Sequence, residues 1–304
     1  MDRRQFLAAT ASASLLHARQ SFDFSRVAML TDEIARTPAD AIAFCKQYGI
    51  RNVEVRSMPG GGGHYGLMPE DKLRQAMKEF KDNGLKVTFL NTPFFKITLP
   101  GTEPVFRRPE TPENREKRIA RHKAEFERRK EDFQTAFRNA HILGVDKMRV
   151  FTFLRVQEPE SVFQQSADVI GEMAELAAKE KITLLVENEG ACNVVTCKET
   201  AAFMKLLPQK NIGINWDPMN GIAQKEPPFP EGYALLPKKR ILNVQFKGKT
   251  LLEPNQKLDW GGILAALVKD GYKGYAGLET HYLDGTDPEK AHLCVKEIRR
   301  ILES

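Results

Sequence analysis

Two carboxylates stand at the end of an apolar segment, KITLLVENEG, at residues 181–190. If this segment forms a strand, the alternation of its side chains puts Leu185, Glu187 and Glu189 on one face. An unpaired carboxylate is costly to bury, because it loses its hydration or has to take up a proton. Two acids at the end of a buried strand therefore indicate a metal ion, a cationic partner or a catalytic role.

Three later apolar segments end in polar residues in the same way, and the same alternation divides each of them into two faces. The apolar face is predicted to pack on helices and contains Ile212, Ile214, Trp216, Leu242, Val244, Phe246, Ala276 and Leu278. The polar face is predicted to point inward and contains Asn215, Asp217, Asn243, Gln245, Lys247, Glu279 and His281.

Two of the inward residues, together with Glu187 of the first segment, suggest a cation site. Glu187, Asp217 and Glu279 would repel one another if they met without a positive charge. A divalent metal ion would remove that repulsion, and oxygen ligands suit Mg²⁺ or Mn²⁺ better than a thiolate-seeking ion. A single residue such as Asn215 or Asn243 has a structural alternative as a hydrogen-bonded core amide.

The segments that carry these residues belong to a regular alternation of strand-like and helix-like stretches. Eight strands are predicted, within 26–31, 50–57, 85–92, 146–153, 181–190, 211–218, 240–248 and 274–281. Strands separated by helices run parallel, and eight such units favour an α/β fold, a closed (β/α)8 TIM barrel with its active site at the carboxyl ends of the strands. The rival fold, a doubly wound sheet, normally has a glycine fingerprint after its first strand, and LTDEIARTPAD at 30–40 has none.

The N-terminal stretch MDRRQFLAATASASLL resembles a bacterial twin-arginine signal, because Arg3 and Arg4 precede an apolar Ala/Ser-rich region. We expect residues 1–20 to be this signal peptide, cleaved near 16–18, and residues 24–304 to form a single barrel domain. The signal predicts export to the periplasm by the twin-arginine machinery. The alternative is a mobile tail with two chance arginines, in which case the protein would be cytoplasmic.

The net charge of the 304-residue chain is +6, which raises nucleic acid as a partner. Most of this net charge comes from 107–130, where ten Lys and Arg residues alternate with five Glu. There, Glu113/Lys117 and Glu125/Arg129 have the spacing of ion pairs on a solvated helix, so nucleic acid is not favoured. Four cysteines without regular spacing are predicted to be free thiols. No segment approaches the roughly 18 uninterrupted apolar residues that a membrane span requires.

Four motifs on successive predicted strands, LLVENEG, GINWDPMN, NVQFKGK and GLETH, resemble the xylose-isomerase-like barrels of the sugar phosphate isomerase/epimerase family. D-tagatose 3-epimerase, hydroxypyruvate isomerase and inosose dehydratase belong to this group. The resemblance covers the chain from about Phe24 to its end, and its motifs are concentrated after Lys181.

The resemblance implies one divalent metal ion, Mn²⁺ or Mg²⁺, with Co²⁺ or Zn²⁺ as alternatives. Its ligands would be Glu187, Asp217, Gln245 and Glu279. Gln245 stands where the family usually has His, in a motif that commonly reads His-x-Lys-Asp and here reads Gln-Phe-Lys-Gly. Asn220 stands where several members have a His after the Asp. A glutamine oxygen can bind a hard cation, but it is a weaker ligand than imidazole for transition metals.

The implied activity is isomerisation or epimerisation of a sugar or keto-sugar through an enediolate. Glu187 and Glu279 would remove and return the proton, with Lys247 as a second electrophile. The residues predicted to bind substrate are Glu54, Arg56, His64, Glu189, Asn220 and His281. An internal ion pair is the alternative for Glu54 and Arg56. The glycine-rich segment MPGGGGHYG at 58–66 is interpreted as a lid presenting His64 and Tyr65, or as a merely flexible loop.

Three other functions share this barrel. A lyase or hydratase acting on a keto-sugar or keto-glycoside would use the same enediolate, and a non-catalytic sugar-binding barrel would have lost it. A zinc endonuclease acting at abasic DNA sites is least favoured, because the chain has only six His and because Asn220 and Gln245 stand where such an enzyme needs ligands. The expected partner is a small carbohydrate. The sequence leaves open whether the chain is a monomer or a homo-oligomer.

Overall fold

Eight parallel strands close into a barrel in the computed structural model, which describes residues 22–106, 108–282 and 288–304. The strands are β1 (Val27–Leu30), β2 (Asn52–Val55), β3 (Lys86–Leu90), β4 (Lys147–Val150), β5 (Thr183–Glu187), β6 (Ile212–Trp216), β7 (Ile241–Lys247) and β8 (Tyr275–Glu279). Each strand pairs with its neighbours in chain order, and β1 pairs with β8. The predicted (β/α)8 barrel is confirmed. The predicted signal peptide lies outside the described residues and stays a prediction.

Helices surround the barrel. They are α1 (Thr31–Ile34), α2 (Pro38–Gln47), α3 (Glu70–Asp82), α4 (Pro112–Glu127), α5 (Arg129–Leu143), α6 (Phe163–Lys179), α7 (Cys197–Met204), α8 (Tyr233–Leu235), α9 (Gly248–Leu252), α10 (Trp260–Lys269) and α11 (Pro288–Glu303). The first turns of several are set by local sequence, as in α7, where Thr196 and Glu199 form a capping box. No helix in the described part of the chain is long and apolar enough to cross a membrane.

The apolar faces of the strands form the layer between barrel and helices. Ile214, Trp216, Val244, Phe246 and Leu278 are all fully buried there, as their alternation predicts. All four cysteines are buried free thiols, which was also predicted.

Leu242 is an exception to the predicted alternation. It was expected to face the helices, but its Cδ1 lies 2.6 Å from the point where a Cβ on Gly213 would stand, beside the inward-facing Leu185. The cause is a bulge between β6 and β7: Ile214 pairs with Ile241, and the next residue, Asn215, pairs with Asn243. The extra residue points Leu242 into the lower barrel without changing the faces of the residues that follow.

The charged segment at 107–130 also differs in detail from its prediction. The Glu113–Lys117 pair forms at 2.5 Å. The helix is interrupted at Arg128, however, so Arg129 turns to Glu172 on α6 at 3.1 Å instead of pairing with Glu125. The expected Glu125/Arg129 pair is therefore wrong, because the i,i+4 rule holds only within one continuous helix.

The interior of the barrel is narrow beside Gly277 on β8. A Cβ at this position would lie 2.7 Å from Oε2 of the buried Glu54 and closer still to its Oε1. Only glycine therefore leaves space for the carboxylate.

We predict that Gly277→Ala lowers the free energy of unfolding by about 1–3 kcal/mol, since overpacking has to displace Glu54 or the strand. Urea denaturation measures the change. The matched control is Gly261→Ala on α10, where a Cβ would only meet Asp259 Oδ1 at an ordinary 3.7 Å. Alanine is the better helix former, so this variant should be at least as stable as the parent. Equal losses in both variants would contradict the proposed crowding.

Candidate active site

Three carboxylates meet at the carboxyl ends of the strands. Glu187 ends β5, Asp217 follows β6 and Glu279 ends β8. One oxygen of each lies within 4.8 Å of the others, and all three residues are buried. In the described parts of the chain this is the one group of three or more side chains that could share a metal ion. We call it the acid cluster. It unites the three acids that strand alternation selected.

A buried ammonium group lies inside the acid cluster. The Nζ of Lys247, at the end of β7, is 2.9 Å from Asp217 Oδ2 and also contacts Glu279 Oε2. Burial opposes the charge of Lys247, but the charges of Asp217 and Glu279 outweigh it and hold the lysine pKa far above its ordinary value. Lys247 is therefore a fixed positive charge between two of the acids.

Two arginines contact the remaining sides of the cluster. Arg149 on β4 donates to Glu187 at 3.2 Å, and Asn215 donates to the same carboxylate oxygen. Arg56 lies 2.8 Å from Glu279 and also pairs with Asp32 and Glu33 on α1. Each member of the acid cluster thus has at least one cationic partner.

The cationic partners act differently on Glu279 and Asp217. Burial raises the pKa of a carboxyl group, but at Glu279 the charges of Lys247 and Arg56 overcome burial and lower the pKa. At Asp217, which is completely buried, burial prevails over Lys247 and raises the pKa to about 7. The cluster therefore contains one firmly ionised acid and one acid that exchanges its proton easily.

A second polar layer lies beneath the acid cluster, around Glu54 on β2. Glu54 is completely buried and accepts hydrogen bonds of 2.9 Å from each of Asn91, Asn243 and Gln245. Burial raises its pKa, and these amide hydrogen bonds oppose the increase. Asn243 also donates to Asn215, the residue that donates to Glu187. This amide layer joins Glu54 to the acid cluster.

Gln245 leaves one acceptor free. Its Nε2 donates to Glu54, and its buried Oε1 has no hydrogen-bond partner among the described residues. Asn215 and Asn243 are register partners, so Asp217 and Gln245, each two residues further along, lie at the same level of neighbouring strands. Three carboxylates and a free amide oxygen form a donor set that fits a hard divalent cation. Imidazole is absent from this set, so the set does not select one particular ion.

A cleft of about 920 Å³ opens above the acid cluster, and Glu189, Asn220 and His281 line it. Glu189 and His281 each follow a cluster acid by two residues, just beyond the ends of β5 and β8. Asn220 donates to Asp217 Oδ2 at 2.8 Å, and Lys96 pairs with Glu189 at 3.1 Å. These three predicted substrate residues therefore form the floor of the cleft.

The turn that carries His281 is tied to α1. The backbone of His281 has a positive φ of 56°, uncommon for a residue with a side chain, and its N–H donates to Glu33 Oε2 at 2.9 Å. Burial, followed by the charge of Lys247, lowers the pKa of His281. The imidazole is thus held neutral close to the cluster.

The other predicted substrate residues lie elsewhere. Glu54 is sealed beneath the acid cluster, and Arg56 is engaged in ion pairs with three acids. His64 is exposed beside Ser57 Oγ, at 3.2 Å, and does not line the cleft. The lid interpretation is wrong for Tyr65, which is fully buried against Phe80.

Arg149, Asn91 and Lys96 were not selected from the sequence. The position of Arg149 could have been predicted: in DKMRVFTF, strand alternation puts Met148 and Val150 on one face and Arg149 on the other, the inward face. Asn91 and Lys96 follow β3, where no polar pattern at the end of the strand distinguishes them.

Residues 42–301 match the family model of the xylose isomerase-like TIM barrel. The chain therefore belongs to this family. A sequence comparison with curated proteins finds no match.

Three solved structures illustrate the shared fold. The IolI protein, with a zinc atom, is 16% identical over 91% of this chain and 98% of its own, with a TM-score of 0.65. D-allulose 3-epimerase from Methylomonas sp., in complex with D-allulose, is 14% identical over 93% and 98%, with a TM-score of 0.66. The probable 3-DHS dehydratase AsbF from Bacillus anthracis is 16% identical over 92% and 99%, with a TM-score of 0.63.

Removal of the buried ammonium should be costly. We predict that Lys247→Met lowers the free energy of unfolding by about 3–5 kcal/mol, because it leaves buried carboxylates without their partner. Adding Asp217→Asn should restore part of the lost free energy of unfolding, since it removes one of the carboxylates left without a partner.

Urea denaturation of both variants measures these changes. The control is Lys257→Met, which breaks an exposed ion pair with Glu297 of 3.6 Å and should cost no more than about 1 kcal/mol. A Lys247→Met variant as stable as this control would show that the ammonium does not balance the cluster.

Proposed function

We propose that the protein is an isomerase or epimerase that transfers a proton at a carbon next to the carbonyl of a keto-sugar. One observation carries the proposal: three buried carboxylates meet at the carboxyl ends of the barrel strands, and a buried ammonium group contacts two of them. Carboxylates can remove and return protons, and a fixed positive charge stabilises the enolate oxygen that forms between these steps.

Glu187 is the proposed base. It contacts one cation, Arg149, at 3.2 Å, whereas Glu279 contacts both Lys247 and Arg56. Glu187 is therefore the cluster glutamate whose carboxylate is less occupied by cations and more available to a substrate proton. Glu279 on β8 is proposed to serve the opposite side of the substrate. Because it is ionised in the free protein, it takes up a proton from solvent before it delivers one to the carbon, and Glu187 releases the abstracted proton to solvent.

Lys247 is the proposed electrophile. Its ammonium is charged, almost fully buried and oriented by two carboxylates, so little reorganisation is needed when negative charge develops on a substrate oxygen. The third N–H of the ammonium group is the natural donor to that oxygen.

Glu187, Asp217, Glu279 and the free Oε1 of Gln245 are the residues proposed to hold a divalent ion. When bound, such an ion acts as a Lewis acid on a carbonyl and a neighbouring hydroxyl. Oxygen ligands favour Mg²⁺ or Mn²⁺, with Co²⁺ or Zn²⁺ as alternatives.

Glu189, Asn220 and His281 are proposed to bind the hydroxyl groups of the substrate. They lie between the cleft and the acid cluster, so a bound sugar covers the cluster and keeps water away from the enolate.

Deuterium exchange tests the proposed chemistry. The protein is incubated in D2O with D-fructose, D-tagatose or D-allulose and with Mg²⁺ or Mn²⁺, and proton NMR follows the loss of carbon-bound hydrogen. We predict that Glu187→Gln lowers the exchange rate at least about 100-fold, because it removes the base.

The matched control is Glu172→Gln, which alters a half-buried acid on α6 paired with Lys130 and Arg129, away from the acid cluster, and should leave exchange unchanged. An unsaturated product would assign elimination, the lyase alternative. Exchange that is insensitive to Glu187→Gln would refute the proposed base.

Metal content is a separate prediction. After equilibration with Mn²⁺ and desalting, inductively coupled plasma mass spectrometry should find about one ion per chain, and Glu187→Ala should lose it. No retained ion in the parent would contradict the ligand set. Several zinc ions per chain after equilibration with Zn²⁺ would favour the nuclease alternative instead.

A further inference from the structure

The cleft above the acid cluster is much larger than one sugar ring. Its volume of about 920 Å³ is close to the upper end of the roughly 300–1,000 Å³ found for pockets that hold drug-sized ligands. Glu189, Asn220 and His281 account for its inner end. The rest of its lining includes Val105, Phe106, Gln157, Ile222 and Gln224, and we call these residues the outer subsite.

Phe106 is an exposed aromatic ring with a buried support. It is 39% exposed, and the Cζ atom of Arg118 lies 5.0 Å from its ring centroid. Arg118 is only 6% exposed and pairs with Glu110 at 2.9 Å and with Glu103 at 3.1 Å. A cation held in this way fixes the ring, so that its open side remains a flat platform.

The neighbouring backbone is anchored as well. The N–H of Val105 donates to the carbonyl of Arg155 at 2.8 Å, and Arg155 is itself bound to Glu199 at 2.8 Å. Val105 is 53% exposed. Two adjacent apolar side chains are thus presented to the cleft by a segment tied to the barrel.

Polar side chains surround this platform. Gln157 and Gln224 line the outer subsite, and Lys249 lies nearby in the same cleft. No side-chain hydrogen bond joins any of these three to another described residue. An apolar ring face with free amide and ammonium donors around it complements a second sugar ring, which has an apolar face and a rim of hydroxyl groups.

We infer that the substrate is a glycoside: a keto-sugar that binds above the acid cluster and carries a second sugar ring seated on Phe106. The inference rests on the proposed function for the reacting ring. The second ring is recognised by the outer subsite alone, and this makes the inference separately testable.

Isothermal titration calorimetry of the full chain tests it with three probes. D-fructose is a single ketose ring, whereas maltulose and lactulose are ketoses that carry a second sugar. We expect both disaccharides to bind at least tenfold more tightly than D-fructose. Phe106→Ala should remove most of this advantage and leave the affinity for D-fructose unchanged.

The control is Leu235→Ala, which removes an apolar side chain that is also exposed, at 53%, but lies outside the cleft. It should change neither affinity. The inference is overturned if D-fructose binds as tightly as the disaccharides, if neither disaccharide binds, or if Phe106→Ala weakens all three probes equally. Disaccharide binding through Phe106 without any proton exchange would refute the proposed reaction and leave the outer subsite in place.

Discussion

The balance of charge around Lys247 is the constraint on which the interior of this barrel depends. Three acids and one ammonium group converge where the strands end, in a region almost without solvent. Charges in such a place are tolerated only when each has a close partner of opposite sign. Arg149 and Arg56 complete the pairing from the other side of the barrel, so six charged residues from six strands or their immediate extensions form one network.

The amide layer extends this network downward. Glu54, the deepest acid, is bound by neutral amides instead of cations, and Gly277 leaves space for it. Such a layer can hold charged groups in place because a side-chain amide can donate to a carboxylate while it accepts from another amide, as Asn215 does. The geometry of the acid cluster and the packing around Glu54 are therefore coupled, because both depend on the positions of Asn215 and Asn243.

Much of this arrangement follows from the sequence because a strand has a strict two-residue period. That period alone brought Glu187, Asp217, Lys247 and Glu279 to one place, since the ends of parallel strands meet at the same rim. The inward position of Leu242 did not follow, because a one-residue bulge is decided by how two strands pair. The pairing of Arg129 with Glu172 was not predicted for a similar reason: the spacing of the charged residues does not reveal that the helix is interrupted at Arg128. Pairings between distant strands, such as that of Arg56 with Glu279, require the closed barrel itself.

The presence of glutamine at position 245 affects which metal ions the proposed site would accept. A neutral imidazole has one nitrogen that donates and one that accepts, and the side-chain amide of glutamine has the same two capacities. The replacement of the histidine usual in the family thus preserves the polarity of the link to Glu54 and exchanges a borderline nitrogen ligand for a hard oxygen. In the proposed all-oxygen site the selectivity for transition metals would be relaxed, and the abundance of an ion in its surroundings would decide which ion is bound.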